Sequence, residues 1–114
     1  MTRKDPVLFL EDILEAMKKI ERYTKDKDIE EFRSDPMMVD AILRNLEVIG
    51  EASTNLSSEF REKNPDIPWK RMIGLRNIVI HEYFGVDLNI IWRIVTKDLP
   101  ETKPLIENLL EDLD

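Results

Sequence analysis

Apolar residues recur along this chain at helical spacing, three and four positions apart, and short polar runs containing proline separate the segments. Asp5-Pro6 supplies an N-cap followed by proline at the first helical position. A first helix therefore opens there, with Leu10, Ile13, Leu14, Met17 and Ile20 as one inward stripe. The polar run TKDKD after Tyr23 ends it, and Ile29 to Arg33 reads as a short helical turn whose Ile29 and Phe32 form a clasp. Asp35-Pro36 repeats the start signal. It predicts the longest helix, Pro36 to Glu62, with Val39, Ile42, Leu43, Leu46, Ile49, Ser53 and Phe60 on one face. Asp40, Arg44, Glu47 and Glu51 cluster on the opposite face, and Ala41, Val48 and Ala52 make a second, smaller stripe beside them. A second stripe calls for a second helical neighbour, in this chain or in another subunit.

After the turn Asn64-Pro65-Asp66, the stretch Pro68 to Phe84 reads as one helix, with Pro68 at its first position and Gly85 as the residue that stops it. Asp87 caps the next helix, Asp87 to Lys97, whose Leu88, Ile91, Trp92 and Val95 face inward. Pro100 and Pro104 are expected to break or kink the chain beyond it, and Leu105, Ile106, Leu109, Leu110 and Leu113 form a last amphipathic segment. Antiparallel helices with short connections predict an all-α, up-and-down bundle of about four to five helices in one domain, residues 1–114.

Composition narrows the class without changing that picture. The 114 residues suffice for one modest core, and 42% hydrophobic with 36% charged residues suits amphipathic helices. No apolar run approaches ~18 residues, so no membrane span is expected. MTRKDP lacks the apolar core of a secretory signal, and the absence of cysteine fits a cytoplasmic address. The net charge of −7 argues against binding nucleic acid by bulk electrostatics; RNA would have to be met in a local cleft. The same acidity suits a basic protein partner, and ordinary solubility explains it equally well.

The helix Pro68 to Phe84 carries an anomaly. Trp69, Met72, Ile73, Val79, Ile80 and Phe84 form its apolar face, yet Arg76 and Tyr83 fall in the middle of that face, and Asn77 and His81 share its edge. A guanidinium there must be paired, or must sit in a cleft that admits an anion. One reading is an internal arginine–carboxylate pair with a hydrogen-bonded core histidine. The other is a site.

Arg76-Asn77, three residues, then His81-Glu82-Tyr83 resembles the R-polar-x-x-x-H-x-Y signature of the HepT-like toxins, which belong to the HEPN (higher eukaryotes and prokaryotes nucleotide-binding) superfamily. FLEDILEAMKKIERYT, LRNLEVIGEAS, IPWKRMIGLRN and FGVDLNIIWRIVTKDLP are similar to that family in order and spacing, over nearly the whole chain. The resemblance implies a HEPN-type helical bundle, homodimeric, acting as the toxin of a type II or type VII-like toxin–antitoxin pair. It implies a metal-independent endoribonuclease working at the dimer cleft, with Arg76 and His81 catalytic and no cofactor. It further implies Tyr83 as the acceptor of adenylyl groups from a partner minimal nucleotidyltransferase, which neutralises the toxin.

These residue types suit that chemistry. Cleavage by the RNA 2′-hydroxyl needs a base, an acid for the leaving 5′-oxygen and positive charge on the phosphate. Imidazole serves as base or acid near neutral pH, and guanidinium clamps two phosphate oxygens. Asn77 can donate to the phosphate or orient His81 one turn away. His81 lies in the helix's last turn, where the dipole favours imidazolium. Each chain has a single histidine, whereas the reaction uses both a base and an acid; a two-fold dimer with these helices facing one another would supply two of each residue. AMP on Tyr83, beside Arg76, would occupy the place of the RNA phosphate. An alternative in a different class is a non-catalytic dimeric subunit that holds a nucleotidyltransferase, with Arg76 and His81 binding a nucleotide or only packing.

Overall fold

A computed structural model of the chain describes residues 5–81 and 87–113, with the side chains of all but 79–81. Seven α-helical segments and one π turn account for nearly all of them, and the described residues contain no strand. They are α1 (Pro6–Thr24), α2 (Ile29–Arg33), α3 (Pro36–Asn55), α4 (Ser58–Lys63), α5 (Trp69–His81), α6 (Leu88–Arg93), a π turn (Ile94–Asp98) and α7 (Leu99–Leu113). Four long rods result: α1, α3, α5 and the run from α6 to α7. Two short helices, α2 and α4, join them. The expected all-α bundle is what forms.

The start signals act as anticipated. Asp5 Oδ1 accepts from the Val7 N–H at 2.9 Å, Asp35 Oδ1 from the Met38 N–H at 3.1 Å, and Asp87 Oδ1 from the Asn89 N–H at 2.9 Å. Such caps are each worth about 1 kcal/mol. At α2 the device is reciprocal. Asp28 accepts from the Glu31 N–H while Glu31 accepts from the Asp28 N–H, a capping box that stabilises a helix too short to stand alone.

Two boundaries differ from expectation. The long helix stops at Asn55, because Leu56 turns extended (φ −70°, ψ 140°) and Ser57 caps a new helix by accepting from the Phe60 N–H at 3.0 Å. Leu56 itself is buried, so the break lets an apolar side chain enter the core. Nor do Pro100 and Pro104 break the last rod. The backbone stays right-handed helical through Ile94 and Leu99, and the Leu99 N–H reaches back five residues to the Ile94 carbonyl. A proline ring crowds the carbonyl four residues before it; the wider turn just ahead of Pro100 relieves that crowding. The hydroxyls of Thr96 and Thr102 donate to the carbonyls of Trp92 and Asp98, 2.6 and 3.0 Å away.

The core is one cluster. Leu10, Ile13, Met17 and Ile20 of α1 meet Ile42, Leu46 and Ile49 of α3, with Ile91, Val95 and Ile106 from the last rod. Phe32 is fully buried and stacks on Trp92 (centroids 5.1 Å apart, 31° between planes), so the predicted clasp rests on Phe32, while Ile29 is only half-buried. Arg33 adds a hydrogen bond to Asn89 beside it. The stripe read for α6 holds, with Ile91 and Val95 buried and Leu88 and Trp92 packed at the edge of the cluster.

Candidate functional site

The helix that carries the motif is held mainly by α3, its principal partner. Among its described side chains the buried ones are Trp69, Met72 and Leu75, at i, i+3 and i+6. Ile73, read as part of the apolar face, is half-buried instead, and Leu75 takes the inward place. The first turn is pinned at a corner. The Trp69 indole N–H donates to the Asn64 carbonyl at 2.9 Å, and the Trp69 ring packs on Phe60 of α4 (6.4 Å, 59°).

Further along, α5 packs tightly on α3 where Arg76 meets Gly50. A Cβ built on Gly50 would lie 2.6 Å from the Arg76 nitrogen and 2.7 Å from the Arg76 Cβ. Glycine is therefore required at position 50, and the backbone contact fixes where Arg76 leaves its helix. Its guanidinium is not in the core. It lies at the rim with a side chain 39% exposed, and Nε stands 3.4 Å from Oε1 of Glu51, which is 49% exposed. The arginine–carboxylate pair foreseen as one reading thus exists, but at the surface, where the charge stays accessible. A pair this exposed contributes about 0–1 kcal/mol and yields to a competing anion.

Glu51 continues the polar face of α3. Arg44 pairs with Glu47 at 3.3 Å, and these residues, with Asp12 of α1, Asn55 and Glu51, line a polar concavity of about 280 Å³. Ala52, from the smaller stripe, is buried, while Ala41 and Val48 are half-covered. A larger concavity of about 610 Å³ lies between α5 and α7, walled by Met72, Leu75, Ile78, Ile94, Leu99 and Leu105. It is mostly apolar, and among its described lining residues neither Arg76 nor Asn77 appears, so size alone does not make it the reactive site.

Of the four residues singled out in the sequence, Arg76 and Asn77 are adjacent on α5, the first half-exposed and the second exposed. His81 is the last residue of α5, five positions beyond Arg76; its side chain lies outside the described residues. Tyr83, and with it Phe84 and the helix stop read at Gly85, also lies outside them. Two site residues were not assigned from the sequence. Gly50 and Glu51 reach Arg76 only through the α3–α5 crossing, and Glu51 looked like one member of a solvated acidic and basic face.

Comparison with known proteins agrees with the motif. The family profile described as Ribonuclease HepT-like matches residues 13–109. A candidate RNase of Methanocaldococcus jannaschii is 48% identical over 107 residues, which cover 94% of this chain and 98% of that one. Probable ribonuclease HepT of Thermococcus cleftensis is 43% identical over 101 residues, 89% of this chain and 92% of its own. A candidate RNase of Caldanaerobacter subterraneus is 42% identical, over 95% of this chain and 96% of its own. No solved structure matches. An all-helical bundle, an accessible arginine fixed at a helix crossing and a histidine ending the same helix belong to a matched sequence of known family: the chain is a member of the ribonuclease HepT-like family of the HEPN superfamily.

Proposed function

We propose that this protein is an endoribonuclease that cleaves RNA without metal and serves as the toxin of a toxin–antitoxin pair. The observation that carries the reading is Arg76. It is a half-exposed guanidinium, anchored at its backbone by Gly50, on the helix that ends in His81. The sequence relatives are ribonucleases by name. Arg76 would hold the scissile phosphate after exchanging Glu51 for it, Asn77 would donate to the same phosphate or orient His81, and His81 would move the proton. Arg76 and His81 are about 140° apart around a regular helix, so one chain does not aim both at one phosphate. A homodimer with two α5 helices lining one groove would offer both, with base and acid from different subunits. A partner nucleotidyltransferase would switch the enzyme off by adenylylating Tyr83, adding an anion and bulk beside Arg76.

The test uses purified protein and RNA. Cleavage should persist in EDTA and vanish in His81→Ala with the helical circular dichroism unchanged; cleavage that needs a divalent metal would refute the mechanism. Light scattering should exceed the 13.5 kDa of one chain. Co-expression with a nucleotidyltransferase encoded beside it should add AMP mass to the peptide containing Tyr83, and Tyr83→Phe should abolish the addition.

The Arg76–Glu51 pair and the net charge of −7 favour a second reading, a non-catalytic dimeric subunit that holds a nucleotidyltransferase. An unmodified dimer that leaves RNA and growth untouched at any expression level would establish it.

A further inference from the structure

We infer that the corner between α4 and α5 is a binding track for single-stranded RNA, extending the proposed active site along α5 through Arg61 and Lys70. The inference rests on the ribonuclease reading and adds to it the place where the substrate strand lies. An acidic protein needs a local cationic path to hold a polyanion. Residues 61–76 provide one, with Arg61, Lys63, Lys70, Arg71 and Arg76 against the carboxylates Glu62 and Asp66, in a chain of net charge −7.

Position matters more than count. Lys70, Ile73 and Asn77 stand at i, i+3 and i+7 and so share one face of α5. Lys70 and Asn77 are exposed and Ile73 is half-buried between them. Lys70 lies about 10 Å along the helix axis from Asn77, far enough to serve a neighbouring nucleotide and not the scissile one. Beside this face runs an open groove of about 440 Å³ lined by Ser58, Arg61, Glu62, Trp69, Lys70 and Ile73. Its floor is apolar and its rim carries two cations and one carboxylate, a surface that suits a base laid over Ile73 with flanking phosphates at Arg61 and Lys70. Unlike Arg76, neither Arg61 nor Lys70 has an ion-pair partner among the described residues.

The groove is also built rather than accidental. Ser57 caps α4, the Asn64 side chain donates to the Phe60 carbonyl at 2.9 Å, and the Trp69 indole closes the corner on the Asn64 carbonyl. These bonds fix the corner between the two helices that carry Arg61 and Lys70. Preorganised cations bind with less loss of freedom than two lysines on a mobile surface.

The test is binding of a fluorescent single-stranded RNA oligomer, 2′-O-methylated throughout so that it cannot be cleaved, read by anisotropy across a salt series. Each contact to a single strand contributes about 0.7 to the slope of log Kd against log salt, so Arg61→Gln with Lys70→Gln should weaken binding and flatten the slope by about 1.4. Dinucleotide binding should stay unchanged, because a dinucleotide does not reach the groove. Lys25→Gln with Lys27→Gln changes net charge equally on exposed residues elsewhere and should have little effect. Equal weakening by both double variants would reduce the effect to overall charge and overturn the track, as would unchanged oligomer binding in the groove variant. Because binding is read without turnover, a protein that holds the oligomer through Arg61 and Lys70 but cleaves nothing would remove the ribonuclease reading and keep the groove. An acidic peptide that binds the groove as tightly as RNA of equal charge would count against a nucleic-acid site.

Discussion

Gly50 of α3 and Arg76 of α5 meet backbone to backbone, closely enough that a single methyl group on Gly50 would lie 2.6 Å from the Arg76 nitrogen. The crossing of the two helices and the exit direction of the arginine are thus one structural fact. Gly50→Ala should destabilise the fold by about 1–3 kcal/mol, the usual cost of overpacking, and should lower RNA cleavage by displacing Arg76. Thermal unfolding and a cleavage assay on the same preparation check both. Unchanged stability would mean that α5 can shift freely away from α3.

Arg76 and Glu51 predict a separation of stability from activity. Their ion pair is half-exposed, so Arg76→Ala should cost no more than about 1 kcal/mol while abolishing cleavage. Glu51→Gln removes the competing charge and should lower the KM for RNA with little change in melting temperature. A large stability loss in either variant would place the pair among the structural supports of the fold.

The clasp at Phe32 should be expensive to remove. Its ring is fully buried against Trp92, and Phe32→Ala should cost about 3–5 kcal/mol by chemical denaturation. Loss of near-ultraviolet dichroism from Trp92 with the helical signal retained would locate the damage at the junction of α2 and α6.

Lys103 on α7 and Glu21 on α1 tie the first and last helices at 2.8 Å. The hydrogen bond that Lys103 donates to Glu21 raises the Lys103 pKa above its ordinary value, slight burial opposes this, and the charges of Glu21 and Glu107 add to the rise. A cation whose pKa is higher folded than unfolded stabilises the fold fully below the unfolded value. That stability is lost as pH rises through the folded one. The destabilisation in Lys103→Met, less than about 1 kcal/mol, should therefore be constant near neutral pH and fade above about 10.4. Denaturation of both proteins across that range measures it.

The range of each interaction decided how much of the fold and the site was legible in the sequence. Asp5-Pro6, Asp35-Pro36 and Asp87 announce their helices because a cap is satisfied within three residues, and the 3.6-residue apolar period of α1, α3 and the last rod reports their inward faces directly. The R-polar-x-x-x-H-x-Y motif likewise spans only eight consecutive positions of the sequence, so membership of the family was visible from residues 76–83 and their flanks. Other features needed the assembled bundle. The break at Leu56 arises from a leucine that finds core space once α3 meets its neighbours, against an otherwise uninterrupted helical pattern. The unbroken rod through Pro100 depends on a π turn, whose wider hydrogen-bond register leaves no periodic trace in the residues. That Arg76 is accessible, that Glu51 faces it and that Gly50 is indispensable are all consequences of where α3 crosses α5. A crossing point is set by side-chain packing over two whole helices, and no local pattern in either one encodes it.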